Sequence, residues 1–556
     1  MASLESAVAR LESIVSTVPP MSPTSIAAAA FAVAVSYKIL RSGSREHGLP
    51  PGPRTIPILG NLLQMPTKDM HLRITEWARE YGEIISLMVG SHPFIILSSP
   101  TAIKDILDRQ SAYTADRPEN TLFELVHEGW NLFLCRYGER WRKLRKAAQV
   151  LLAPSVVKDY RPLQEAETTQ LVFDILNTPD EFYTHIHRVG SSIALSIIYG
   201  KRNPRIVTPT AVAIDHITED WNAFLQPGNT PPVDAFPFSK RVPFLLRPWT
   251  SEARKIQKMQ KSLYLELFDE CRKRVEAGDG AFFMGDVVRD RANHGLSREQ
   301  MSSLAGSIYE AGSETTPASL RNWLLLVAAH PEVQAKAQDE IDRVVGEGRM
   351  PEYKDAEDMP YLRAIIQEAH RFRNIVPLGL PHRAMRDLRY KDYLIPQGAT
   401  ILANLHGLFR DPELFDDPYT FNPERYMLSE HGTKPGINNS DVRTSVIFGF
   451  GRRICPGMHL ANATALLVAM KLLWAFEFRA PLDPATGKPI PYDILTNRDG
   501  ISAAPPPFKC DIRCRSPARA EIIRHAFSVD ATPTLSAYEY NLSQGDKDWL
   551  ESVRTT

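Results

Sequence analysis

One thiol, Cys455, stands in the loop Phe448-Gly-Phe-Gly-Arg-Arg-Ile-Cys-Pro-Gly457, directly ahead of an apolar helical pattern from Leu460 to Phe476. Glycines at 449, 451 and 457 let the backbone turn sharply and approach something flat or bulky. Arg452 and Arg453 supply positive charge and the coming helix N-terminus a partial one, and both favour thiolate over thiol. A thiolate held this way is a strong, soft metal ligand. A lone cysteine without such a setting reads as a buried structural residue.

Three further groupings could do chemistry beside it. Leu304 to Leu326 has the spacing of one long helix, but Gly312, adjacent hydroxyls and Pro317 predict a local distortion of its hydrogen-bond ladder. An acid beside a threonine at such a place, Glu314 and Thr315, is suited to delivering protons to a reacting oxygen. In the helical stretch 139–150, Trp141 and Arg145 share a face and can both donate to one anionic group. Arg140, Arg142, Lys143 and Lys146 then lie outside as a basic patch, which a solvated face also explains and which suits an acidic electron donor. Glu368 and Arg371, three apart on a helix, can pair with each other.

The pattern F-x-x-G-x-R-x-C-x-G, met at Phe448, Gly451, Arg453, Cys455 and Gly457, resembles the heme-binding signature of the cytochrome P-450 family. A-G-S-E-T-T at 311–316 is close to that family's oxygen-activation pattern, with Glu314 where many members have Asp. The resemblance covers about residues 50–515, with its motifs in the expected order. It implies heme b with Cys455 as the axial ligand of the iron, a thiolate that pushes electron density onto the metal. It implies that Trp141, Arg145, Arg453, His382 and Arg117 surround the two propionates; a surface histidine is the plain alternative for His382. Thr315 and Glu314 are then the catalytic pair. Glu368 and Arg371, joined by Arg425 of Phe421-Asn-Pro-Glu-Arg-Tyr, form a buried ionic cluster that serves structure rather than chemistry.

The fold expected is mainly α with small β-sheets, the cytochrome P-450 fold, preceded by a membrane anchor helix. Strand patterns at 84–89 and 94–97, joined by a turn with Gly90 and Pro93, and at 388–395 and 399–404, supply the sheets. Along the chain the reading is an N-terminal segment at 1–24, a transmembrane anchor at 25–41 and a Pro-rich linker at 42–54. The heme-thiolate domain follows at 55–515 and a polar tail, peripheral or disordered, at 516–556. The apolar run 25–40 covers roughly 24 Å as a helix. Lys38, Arg41 and Arg45 follow it rather than precede it, which argues for a retained anchor over a cleaved signal and puts the body in the cytosol, on the endoplasmic reticulum membrane. The resemblance makes 111–134 a loop lining the substrate pocket and the Pro- and aromatic-rich stretch 226–248 a lid; Ile501-Ser-Ala-Ala504 reads as a turn into the pocket.

Formal net charge is zero, which gives no bulk electrostatic case for nucleic acid. Five scattered cysteines argue against a secreted disulfide framework. No flavin or NADPH motif is present, since Gly449-Phe-Gly451 lacks the third glycine, so electrons are expected from a separate NADPH-dependent flavoprotein reductase on the same membrane. The function expected is a monooxygenase that inserts one oxygen atom of O2 into a small apolar organic substrate. The general look is similar to fungal members that tailor secondary metabolites of terpenoid or polyketide type. Two rivals stay open: a heme-thiolate isomerase or dehydratase that uses no O2, against which the Glu314–Thr315 pair speaks, and a heme-binding sensor or carrier, which would form no product.

Overall fold

Helical spacing of apolar residues dominates the sequence, and the molecule is mainly helical, with three small sheets among the described residues. The computed structural model describes residues 22–225, 233–234, 249–279, 282–498 and 502–554. The expected lid at 226–248 lies almost wholly outside the described residues, as do residues 1–21. The principal helices are α1 (Pro23–Arg41), α2 (Glu139–Leu152), α3 (Arg161–Asn177), α4 (Phe182–Tyr199), α5 (Trp249–Glu276), α6 (Arg298–Ala329), α7 (Pro360–Phe372) and α8 (Met458–Ala475).

α6 starts on a capping box: the Ser297 hydroxyl accepts the Gln300 N–H, and the Gln300 side chain accepts the Ser297 N–H. The distortion expected at 312–317 does not break it. α6 is continuous over 32 residues with Pro317 inside. The Pro317 ring lies against Gly190 of α4, where a Cβ would come within 2.5 Å of it, and a Cβ on Gly312 would stand 3.2 Å from Ala194. Close packing of α4 on α6 thus backs the helix at the residue that lacks an N–H.

α8 is apolar all round and packs behind the Cys455 loop. Among the described residues it is the one helix long and apolar enough to cross a membrane, yet 67% of it is buried inside the protein, as a core helix would be. α1 spans the expected anchor and leaves Ile26, Phe31 and Val33 more than half exposed. The Pro-rich linker is not a free spacer. Arg45 donates to the Gly52 and Pro53 carbonyls and to Ser86, and the Ser86 N–H donates to the Pro51 carbonyl, which lays residues 45–53 against the first strand.

The main sheet has the order β1 (Ile84–Val89), β2 (His92–Leu97), β6 (Thr400–Ala403), β3 (His382–Arg383), antiparallel except for the parallel β2–β6 pair. Pro93 lies within β2 opposite Met88 rather than in the turn. β4 (Leu388–Tyr390) pairs with β5 (Tyr393–Ile395), and β7 (Phe476–Arg479) with β8 (Asp511–Cys514). The ionic cluster is as expected: Glu368 and Arg371 on α7 are fully buried and paired at 2.7 Å, and Arg425 reaches Glu368 at 3.2 Å.

The described part of the tail, 516–554, is folded onto the body, which corrects the expectation of a peripheral or disordered segment. Helical segments at Pro517–His525, Ala526–Ala531, Thr532–Ser536 and Gln544–Arg554 bury Ile523, Phe527 and Leu535 among others, and Phe527 stacks on Phe173 of α3 at 4.3 Å. Glu539 pairs with the buried Arg202 at 2.9 Å, and Asp546 with Arg205 at 2.7 Å.

Candidate active site

The Cys455 loop is set by backbone geometry. The Cys455 N–H donates to the Phe448 carbonyl at 2.7 Å and closes it. Gly451 has φ +48°, and a Cβ there would stand 2.3 Å from Ser111 Cβ and 2.5 Å from the Leu107 carbonyl oxygen, so only glycine fits. Its N–H donates to Asp108 at 2.8 Å, and Asp108 pairs with Arg443 at 3.1 Å. These contacts fix the turn from two directions.

Burial raises the Cys455 thiol above its ordinary pKa, while the Gly457 N–H, the Arg145 guanidinium and the Met458 N–H oppose it. The cation at work is therefore Arg145 on α2, not Arg452 or Arg453 as the sequence suggested. Arg452 donates to the Tyr137 hydroxyl. Arg453 lies 4.5 Å over the Trp141 ring and donates to the Ala115 and Cys135 carbonyls. A thiol held protonated by burial gives up that proton when it binds a cation.

Cys455 opens into a cavity of about 390 Å³, in the size range of small-molecule sites. Much of its wall is apolar, with Phe123, Phe133, Ile193, Ile197, Trp221 and Ile308 among the lining residues. α6 contributes Ala311, Gly312, Glu314, Thr315 and Thr316. Arg117, Trp141, Arg145, His382 and Arg453 all line the same space, so the structure brings together every residue the sequence assigned to the site. Ser502 of the expected turn lines it too, as do Phe123 and 131–134 of the expected pocket loop.

A heme would need a thiolate, apolar walls and groups to neutralise two carboxylates. The residues present fit it. Arg117, Arg145 and Arg453 each lose basicity through burial, Arg117 to about 9 and Arg453 to about 10. Among the described residues none of the three forms an ion pair; nearby Asp116 is taken by Arg136 and Arg383. Neither the Trp141 indole N–H nor the Arg145 guanidinium has a hydrogen-bond partner there. Two buried cations, Arg117 and Arg453, and the half-buried Arg145 at one cavity without a paired carboxylate are costly, and an anionic ligand would relieve that cost.

His382 is buried rather than superficial. Its Nδ1 bonds the Thr114 carbonyl at 2.7 Å, so Nδ1 carries the proton and Nε2 is an acceptor while the ring is neutral. Burial, then Arg117, hold its pKa well below the ordinary range. Donation to a carboxylate therefore needs a second proton, which the carboxylate's own charge would favour.

The Thr315 hydroxyl donates to the Ala311 carbonyl at 2.6 Å, which leaves its lone pairs to accept. Glu314 pairs with Arg498 at 2.8 Å, its side chain one-fifth exposed. Sequence reasoning missed Arg498, because it lies far along the chain. It also missed Glu310, whose signal was a carboxyl one turn before Glu314 within an apolar run. Asn374 Nδ2 and Ser502 Oγ are buried in the cavity wall without hydrogen-bond partners among the described residues.

The family model described as Cytochrome P450 matches residues 50–508 of this chain. Over 492 residues the chain is 39% identical to a cytochrome P450 monooxygenase of Armillaria gallica, covering 88% of this chain and 94% of that one. It is 36% identical over 519 residues to the cytochrome P450 monooxygenase ple5B of Rhodocybe pseudopiperita (92% and 98% covered). It is 34% identical over 496 residues to the cytochrome P450 monooxygenase patI of Penicillium expansum (88% and 93% covered).

Proposed function

Because the chain belongs to the cytochrome P450 family and is a heme-thiolate monooxygenase, we propose that Cys455 is its iron ligand and that it tailors a small organic molecule of fungal secondary metabolism. The observation that carries the ligand assignment is the meeting, in one cavity, of Cys455 and three guanidinium groups, two buried and Arg145 half-buried, that have no carboxylate partner among the described residues. The bound heme supplies the redox chemistry: one atom of O2 enters the substrate and the other leaves as water, with two electrons and two protons from outside.

The chain's own residues bind, orient and move protons. Trp141, Arg145, Arg117, Arg453 and, once it takes a second proton, His382 would surround the two propionates. Arg145 also lowers the cost of charge on the Cys455 sulfur. Gly312, where a Cβ would press on Ala194 at 3.2 Å, lets α4 close on α6 beside the cavity. Glu314, held by Arg498 where solvent reaches it, takes up protons. Thr315, its own hydrogen committed to Ala311, accepts a hydrogen bond from a water and sets that water toward the reacting oxygen.

α1 serves as the membrane anchor. Its exposed Ile26, Phe31 and Val33, followed by Lys38 and Arg41 in its last turn, support that reading. The body then faces the cytosol on the endoplasmic reticulum, where an NADPH-dependent flavoprotein reductase delivers electrons. The basic face of α2, with Arg140, Arg142 and Lys146 exposed, suits an acidic donor surface.

The deciding measurement is the absorption spectrum of the reduced, CO-bound protein beside that of Cys455→Ser. A thiolate ligand shifts the main band strongly to the red, and the variant should lose the shift. A normal thiolate spectrum in Cys455→Ser would overturn the assignment. Thr315→Ala should keep heme but divert reducing equivalents to peroxide. Turnover that does not require NADPH would instead favour an isomerase. Removal of residues 1–41 should move the protein from the membrane to the soluble fraction.

A further inference from the structure

One carboxyl on α6 is left over from that account. Glu310 lies one turn before Glu314, and its side chain faces both the cavity and α5. Its place is built by two interlocking helices. On α6, Gly306 precedes Glu310 by four residues, and the Tyr264 ring lies so close over Gly306 that a Cβ there would fall 2.2 Å from the ring edge. That approach lets the Tyr264 hydroxyl donate to Glu310 Oε1 at 2.5 Å. Gln260, one turn before Tyr264 on α5, donates to the same oxygen at 2.8 Å. Oε2 has no hydrogen bond among the described residues.

A tie between α5 and α6 would explain Oε1 alone, and it would explain the residue poorly. Burying a carboxyl is expensive, and an aliphatic side chain would bridge two helices at less cost. In a cavity with this much apolar wall, a carboxyl oxygen held in place with spare acceptor capacity is the kind of group that sets ligand orientation. Resting on the monooxygenase reading above, we propose that Glu310 is a specificity-determining residue: its free oxygen accepts a hydrogen bond from a hydroxyl group of the substrate. The substrate is then an otherwise apolar molecule that already bears an alcohol or phenol when it enters. Tyr264, Gln260 and Gly306 act as positioning residues, since they reach the substrate through Glu310.

The test uses the full-length holoenzyme and four probes in matched pairs, 1-naphthol with naphthalene and 2-phenylethanol with ethylbenzene. Binding is followed by calorimetry and by the change in heme absorption. At about pH 8, above the Glu310 carboxyl's raised pKa of about 7, a hydrogen bond to the carboxylate predicts that each hydroxylated member binds about tenfold more tightly than its parent. Glu310→Leu should abolish that preference while holding the hydrocarbon affinities within about threefold. Should Glu310→Leu fold poorly, Glu310→Gln, which keeps the volume, should still reduce the preference. Tyr264→Phe, which leaves the carboxyl but frees its orientation, should weaken the alcohols and spare the hydrocarbons. Equal affinities within the wild-type pairs, no binding by any probe, or an unchanged preference in the Glu310 variants would overturn the proposal. Loss of the red-shifted CO band in wild type would count against the heme-thiolate reading instead, and calorimetry would still report on Glu310.

Discussion

Glu368→Gln is a stringent perturbation of this fold, because one carboxylate answers two buried guanidinium groups. Arg371 donates to its two oxygens through Nε and Nη2, both at 2.7 Å. Arg425 Nε approaches at 3.2 Å and the Asn422 N–H at 2.9 Å. Glu368 and Arg371 have no solvent exposure at all, so water cannot replace what the substitution removes. The Gln carbonyl can keep the Asn422 N–H and one guanidinium N–H, but its NH2 must face another donor and the counter-charge is gone. Breaking a buried pair by removing one partner costs about 3–5 kcal/mol. We expect the upper half of that range, because two cations are orphaned at once. Arg425→Met loses the longer contact and the bonds to the Asp416 and Thr420 carbonyls, and should cost about 1.5–3 kcal/mol, in the range of a charge-assisted hydrogen bond. Arg371 also donates to the Phe409, Pro418 and Thr420 carbonyls, so its displacement loosens the segment that leads to the Cys455 loop. The assay is urea unfolding of the holoenzyme, followed by far-ultraviolet circular dichroism and heme absorption, with heme content measured in each preparation. Glu368→Gln should lower the midpoint most and lose heme although the Cys455 loop is unaltered. A cost below about 1 kcal/mol, or one smaller than that of Arg425→Met, would refute the view that this carboxylate anchors the cluster.

Gly451→Ala should lower stability by roughly 2–5 kcal/mol, the sum of a left-handed alanine and an overpacked contact, and deplete heme. Since the clash is with Ser111 and Leu107, adding Ser111→Gly should restore part of the loss, and no restoration would mean the strain lies elsewhere. Burial lifts the Glu310 carboxyl to about 7, against the opposing Tyr264 hydroxyl. A pKa raised on folding gives a stability contribution that is complete below the unfolded value and lost as pH rises through the folded one. Glu310→Gln should therefore gain on wild type between about pH 5 and 8.5, reaching roughly 1–3 kcal/mol once solvent in the cavity is allowed for, and a pH-independent difference in thermal midpoint would contradict this. Ending the chain at Ser516 removes Ile523, Phe527 and Leu535 from the core, worth roughly 5–9 kcal/mol in total, so the truncated protein should express poorly or unfold near ambient temperature. Soluble, heme-loaded protein with an unchanged midpoint would show the tail to be dispensable.

What could be read in the sequence was set by short spans of backbone. Trp141 and Arg145 share a face because they are four apart on one helix, and Gly451 had to be glycine because its own turn demands it. Residues that act across elements were not legible in the same way. Arg145, rather than the adjacent Arg452 and Arg453, is the cation that bears on Cys455, because the loop turns its own arginines toward Tyr137, Trp141 and backbone carbonyls. Tyr264 and Glu310 are 46 residues apart and meet only because Gly306 lets a ring pass. The tail was misread for another reason. Averaged over its length it is polar, yet Ile523, Phe527, Ala531 and Leu535 recur every four residues and all are buried. Mean polarity reports how much surface a segment can leave wet, whereas a repeat near the helical period reports that one face has a partner. A terminal segment carrying such a stripe has to find apolar surface somewhere, and here α3 supplies it through Phe173.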